Sequence, residues 1–240
     1  MSIVEKLTQI AENEQRVYDA GKKAQYDEFW DTYQQNGTRT NYNFAFCGKG
    51  WNNETLKPKY DIIAKVSAGV QIFRECDFSG SLKEHFENLG ISLDFKDCTQ
   101  MQFAFYACDQ ITELPFLDLK NSTNNNYAFQ YCTKLKNLSS AVSENATFTN
   151  TFDSCNALVN LDVTGNIGNS VNLRWSKSLT KASIISIIKA LWNSASGKTL
   201  TLSSTAVNGI DWSNTVIDGV TYNTFDDVAN IKPNWNILLI

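Results

Sequence analysis

Apolar and polar positions of this 240-residue chain repeat one phrase three times between Asp97 and Gly165. Phe105-Tyr-Ala-Cys108-Asp-Gln-Ile111-Thr-Glu-Leu114 is followed by Phe129-Gln-Tyr-Cys132-Thr-Lys-Leu135-Lys-Asn-Leu138 and by Phe152-Asp-Ser-Cys155-Asn-Ala-Leu158-Val-Asn-Leu161. The shared form is F-x-x-C-x-x-[LI]-x-x-L, with cysteines 24 and then 23 residues apart. Such a period points to a stacked array: apolar residues at fixed places in one unit cannot close a core alone and become buried only against the next unit. Counting on from Cys155 puts Trp175 and Ser178 in the Phe and Cys places of a fourth, degenerate unit, and Phe73-Arg-Glu-Cys76 is a candidate decayed copy upstream. Leu93-Asp-Phe95, Leu117-Asp-Leu119 and Leu161-Asp-Val163 read as short strands, which a parallel ladder would set about 4.8 Å apart.

The flanks carry helical and strand patterns. Residues 2–35 predict a helix opened by Ser2 and stopped by Asn36-Gly37. Its Ile3, Leu7, Ile10, Glu14, Val17, Gly21 and Ala24 alternate steps of four and three, the seam of a coiled coil. Two explanations stay open: an anchoring or oligomerising helix acting through Ile3, Leu7, Ile10 and Val17, or an amphipathic helix lying on its own array as a cap. Thr38 to Tyr60 reads as an aromatic, irregular loop, and Ile62 to Phe73 as a strand. Ser81 to Leu89 reads as a short helix with Ser81 and Glu84 in a capping box and Gly90 beyond its end. After the phrases, a helix from Ser178 or Thr180 to Asn193, a strand at Lys198–Ser203, a helix at Phe225–Asn230 capped by Thr224 and a strand at Trp235–Ile240 complete the chain. The expected organisation is an N-terminal helix (1–37), an aromatic-rich loop covering the first unit (38–92), leucine-rich repeats (93–179) and a C-terminal cap (180–240). In class this is α/β: a short leucine-rich-repeat solenoid with an N-terminal helix and a C-terminal helix/strand cap.

The F-x-x-C-x-x-L-x-x-L phrase at this spacing resembles the BspA-like branch of leucine-rich repeats, of the kind encoded by phages and prophages of gut Firmicutes. The likeness covers Leu93 to Leu179. The chain departs from the usual pattern by lacking the small Ile-Gly pair before Ala-Phe and by having few units. The resemblance implies a bacteriophage virion protein, on a tail or head, that displays the repeat domain for host attachment. Its partners would be other virion proteins, or a second copy, through the N-terminal helix, and a host-surface protein or glycan through the repeats.

Charge and chemistry narrow the alternatives. Formal charge is −4 with a pI near 5.1, and no basic run occurs, which argues against a nucleic-acid surface. The N-terminus has no apolar leader and nowhere do 18 apolar residues follow one another, so neither a signal peptide nor membrane insertion is expected. Cys108, Cys132 and Cys155 share one interior place and read as buried thiols rather than disulfides; the pairing of Cys47, Cys76 and Cys98 is open. There is no C-x-x-C and a single histidine, His85, read as a surface or interface residue. No metal or other cofactor is expected. Asp94, Asp118 and Asp162 recur in the strand segments and read as outward, solvated positions. With no nucleophile and base in a recognisable pattern, the chain is not expected to be an enzyme.

Binding then falls to outward positions of the phrase. Thr112 and Glu113, Lys136 and Asn137, Val159 and Asn160 predict a stripe across three units, with the aromatic residues Phe116 and Tyr131 on or beside it. A plainly solvated sheet face is the competing explanation. The function expected is a non-enzymatic virion component for host-surface or glycan attachment. A bacterial surface adhesin and an intracellular protein-interaction scaffold are the alternatives.

Overall fold

Each F-x-x-C phrase folds as a ribbon of tight turns in which the amide of Cys closes onto the carbonyl of Phe: Cys108 N–H to Phe105 O at 3.1 Å, Cys132 to Phe129 at 3.1 Å, Cys155 to Phe152 at 3.2 Å. The structure, a computed structural model, describes residues 45–48, 50–57, 69–92 and 94–240. Alternate amides in one ribbon donate to the next. Met101, Phe103, Phe105 and Ala107 bond to the carbonyls of Asn124, Asn126, Ala128 and Gln130, and Tyr127, Phe129 and Tyr131 to those of Thr149, Thr151 and Asp153. The phrase's cysteine has a second task. Its thiol donates to the Phe carbonyl of the preceding ribbon: Cys108 to Phe73 (2.8 Å), Cys132 to Phe105 (3.0 Å) and Cys155 to Phe129 (3.1 Å). A carbonyl has two lone pairs, and here one takes the turn amide and the other the thiol.

The phenylalanines build the core between ribbons. Phe46, Phe73, Phe105, Phe129 and Phe152 form a column with successive ring centroids 5.1, 5.1, 5.7 and 5.6 Å apart, all within the range of favourable aromatic pairs. Two ribbons in this column precede the three obvious phrases. Phe73-Arg-Glu-Cys76 is one, set 32 residues before the Cys108 phrase because α1 (Leu82–Asn88) is inserted between them. Phe46 marks the other, its amide on Ile72 O and that of Gly48 on Arg74 O. The strand expected up to Phe73 is therefore corrected over its described part: residues 70–75 are turn, because the phrase itself dictates turn geometry.

Parallel strands follow the ribbons. β1 (Gly80–Ser81) pairs with β2 (Ile111–Glu113); β2 and β3 (Leu117–Leu119) pair with β4 (Asn137–Val142); β4 pairs with β5 (Asn160–Gly165). The register explains the uneven period. Glu113 faces Asn137 but Leu117 faces Ser140, so one extra residue bulges out at Pro115-Phe116, where proline offers no amide to the ladder. Asp118 pairs with Ala141, and Ala141 with Thr164, whereas Asp162 pairs with Ser139. The supposed recurrence of these aspartates is thus not one place, and Asp94 lies in no strand.

These pairings overturn the expected leucine-rich-repeat solenoid. Such a solenoid stacks one strand per unit in a single ladder, but the described residues form three sheets: a curled five-stranded sheet in the order β1-β2-β4-β3 with β5 also on β4, a three-stranded sheet in the order Trp235–Leu239, Lys198–Leu202, Val171–Leu173, and an antiparallel pair of Thr215–Ile217 with Val220–Tyr222. The described residues are α/β with mostly parallel strands and few helices. The first ladder stops at β5 because a helix takes its edge. α2 (Lys181–Ala190), capped by Thr180, lays Ser183 and Ser186 along β5, and their hydroxyls accept from the amides of Leu161 and Val163, both at 2.9 Å. Side-chain oxygens thereby occupy the donors of an otherwise open strand. The next strand, β6 (Val171–Leu173), consequently pairs with β7 (Lys198–Leu202), which pairs in turn with β10 (Trp235–Leu239).

That rerouting also corrects the fourth unit. Trp175 is 38% exposed rather than in the column, and Ser178 is exposed. Ser176 is the buried residue, its hydroxyl on Cys155 O at 3.3 Å. Short elements complete the tail: α3 (Ser204–Asn208), β8 (Thr215–Ile217), β9 (Val220–Tyr222) and α4 (Phe225–Ala229), where Thr224 and Asp227 form a full capping box. At α1 the Ser81 hydroxyl accepts from Glu84 N–H at 3.1 Å. His85 is half-buried, its Nε2 2.6 Å from Leu56 O and its ring packed on Phe78, so it ties residues 50–57 to α1. The predicted N-terminal helix, with Ile3, Leu7, Ile10 and Val17, lies outside the described residues, as does Leu93. Among the described residues, no helix is long and apolar enough to cross a membrane.

Candidate functional site

The turn ribbons carry a surface that the strand pattern does not suggest. Among the described residues, eight of the ten non-glycine residues with positive φ fall at two places of the phrase, five and one before its cysteine: Gln71 and Glu75, Phe103 and Ala107, Tyr127 and Tyr131, Asn150 and Ser154. Left-handed backbone costs an L-residue roughly 1–2 kcal/mol and is cheapest for Gly, Asn or Asp. Asn150 alone follows that preference. Phe103, Tyr127 and Tyr131 place bulky rings where the backbone least favours them, and outliers of this kind cluster at functional surfaces.

The rings form one patch. Phe103 stacks on Tyr127 with centroids 4.7 Å apart and planes 10° from parallel. Tyr106 meets Phe103 edge-on at 5.6 Å and Tyr131 edge-on at 5.5 Å. Tyr131 is 42% exposed, and Phe103, Tyr106 and Tyr127 are half-buried. At one end the Arg74 guanidinium lies over the rings of Tyr106 (5.2 Å) and Phe103 (6.0 Å), steadied by Gln71 and Glu75. At the other end Asp153 accepts from Gln130 Nε2 and lies 3.8 Å from Arg174, whose guanidinium covers the ring of the exposed Trp175. Aromatic faces bordered by fixed amide and guanidinium donors suit a ligand with apolar faces and polar rims.

The predicted stripe is partly assembled. Lys136 N–H bonds to Thr112 O, and Val159 N–H to Lys136 O, so Thr112, Lys136 and Val159 stack. Glu113, Asn137 and Asn160 are in register across β2, β4 and β5, with Asn160 Nδ2 on Asn137 Oδ1 at 2.8 Å. Glu113 is held on its far side by Ser81 and Lys83. Phe116 stands apart at the bulge, 54% exposed. Tyr131 belongs to the aromatic turn patch. The two amides engage each other and the carboxylate is taken by Ser81 and Lys83, outside the stripe, which makes this a bonded face rather than an open one. Sequence reasoning missed Phe103, Tyr106, Tyr127 and Arg74; their recurrence two and five places before cysteine was the signal available.

Five of the six thiols are buried and that of Cys47 is partly exposed. All six cysteines are free. Burial pushes Cys155 from 9.0 up to about 12 and Cys98 up to about 11, and raises Cys108 and Cys132 as well. A folded-state pKa above the unfolded value means stability that is complete below pH 9 and lost as pH rises through the folded value. Raising the pH from 7 to 10 is expected to remove about 1.4 kcal/mol for each of Cys98 and Cys155; urea midpoints unchanged over that interval would contradict it. Among the described residues, no group of three or more His, Cys, Asp or Glu is placed to hold a metal ion.

Comparison of the chain with protein-family models, with curated proteins and with solved structures gives no match.

Proposed function

We propose that this chain is a non-enzymatic attachment protein of a phage virion, presenting its aromatic turn patch to a host-surface glycan or protein. The observation that carries the binding half of this reading is the set of rings at Phe103, Tyr127 and Tyr131, kept at left-handed positions on the surface. Stability alone favours Asn or Gly there. The virion half rests on the resemblance of the F-x-x-C phrase to phage-encoded proteins, and the mode of attachment to the particle would reside in the 1–37 segment.

Two measurements test the halves separately. Antibody against residues 93–179 should label the surface of purified virions in electron micrographs; unlabelled particles, with the protein confined to cell extract, would refute the virion assignment. A Tyr127→Ala/Tyr131→Ala double variant, incorporated into particles, should adsorb to host cells about tenfold less well, a loss of ~1.4 kcal/mol. Unchanged adsorption would refute the attachment role of the patch.

A further inference from the structure

We infer that the polar groove beginning at Asn150 is the anion-recognising end of the aromatic surface, and that the ligand is a negatively charged glycan, a polyhydroxyl chain bearing carboxylate or phosphate. This rests on the attachment reading above and narrows it. The groove, about 450 Å³, opens between Thr147–Asn150, Asn169–Asn172 and the start of β7 at Lys198, Thr199 and Thr201. Asn150 joins the two surfaces. It occupies the left-handed place equivalent to Tyr127, and the Tyr127 amide bonds to Thr149 O at 2.9 Å. The row Phe103, Tyr127, Asn150 therefore leads from stacked rings into the groove.

The lining chemistry is one-sided. Its side chains are Asn, Thr and Ser, which both donate to and accept from hydroxyl groups, together with the apolar Phe148 and Val171 and one charge, Lys198. Among the described residues, no aspartate or glutamate lines the groove. The Lys198 ammonium is held by a neutral acceptor, Asn169 Oδ1 at 3.1 Å, and Asn169 is itself fixed through Nδ2 to Ala146 O at 3.0 Å. Among the described residues no carboxylate lies within ion-pair distance of that ammonium. A positioned cation with two further N–H groups, beside the amide side chains of Asn150 and Asn172 in the lining, matches an anionic sugar. The chain's net charge of −4 opposes long-range attraction of such a ligand, so recognition is local and weakens with salt.

The test is titration calorimetry on the full chain with three probes of similar length: an oligogalacturonate, a glycerol-phosphate oligomer and a neutral malto-oligosaccharide. An anionic probe is expected to bind at least tenfold more tightly than the neutral one, with the arm that binds distinguishing carboxylate from phosphate. Lys198→Gln should abolish that preference, Lys198→Arg should retain it, and Tyr127→Ala should weaken every probe that binds. Equal affinity for all three probes, or a preference that survives Lys198→Gln, overturns the inference and leaves the attachment reading standing. Binding of none of the three also overturns it, and the adsorption assay then judges the attachment reading independently.

Discussion

Phe129→Ala is expected to lower the unfolding free energy by about 3–5 kcal/mol. Phe129 is 2% exposed and sits in the middle of the ring column, between Phe105 at 5.7 Å and Phe152 at 5.6 Å. Truncation deletes both ring contacts and leaves a void that neighbours cannot fill, because the backbone of Phe129 is pinned: its amide bonds to Thr151 O and its carbonyl accepts from the Cys132 amide and the Cys155 thiol. Ring loss also enlarges a small apolar cavity that Phe129 already lines with Phe152, Leu138 and Leu161. Urea unfolding measures the loss, and Phe129→Leu should cost less. A change below about 1 kcal/mol would mean that the column is not what holds successive ribbons together.

Gly168→Ala is expected to cost about 3 kcal/mol, at the upper end of what overpacking usually costs. A Cβ at this position would overlap the carbonyl oxygen of Glu144 and stand 2.8 Å from its carbonyl carbon. Both atoms are backbone, so no side chain can swing aside; either segment 143–146 or the turn into β6 has to move. Gly209→Ala supplies the contrast. The nearest atom to its Cβ is Thr205 O at 3.4 Å, an ordinary contact, and its φ of −79° suits any residue. That change should be neutral or stabilise by about 0.5 kcal/mol through the unfolded chain. Comparable thermal midpoints for the two variants would show that close approach at Gly168 is not limiting.

Local signals in the chain were reliable where a few residues suffice. Ser81, Thr180 and Thr224 each cap the helix expected of them, and the alternation of Lys198–Leu202 and the apolar run at Trp235–Leu239 both become strands. The thiol places in the phrase are buried. The Asp218-Gly219 pair was an overlooked signal. Both residues have positive φ and join β8 to β9, as a two-residue hairpin turn requires. Phe46 was unreadable as a ribbon because no cysteine stands at the matching place; its ring on Phe73 and its amide on Ile72 O identify it.

At the candidate site, legibility failed for a different reason. The stripe was read from the outward places of the repeated phrase, which tell which way a side chain points but not whether a neighbour has already bonded it, as Asn137 and Asn160 bond each other. The aromatic patch depends on φ at Phe103, Tyr127 and Tyr131, and a left-handed aromatic residue is what propensity would never suggest.

The amino-acid sequence by itself determined that the F-x-x-C phrases would bury phenylalanine and thiol at matching places, since apolar groups at a fixed period have no other way to leave water. It also determined the helix caps, which depend on neighbours three residues away. Only the tertiary structure decided that strands part into three sheets. That choice was made where Ser183 and Ser186 of α2 claimed the edge of β5, a contact between segments more than twenty residues apart. Competition for one row of backbone donors is settled by which partner arrives in register, and no local pattern encodes that.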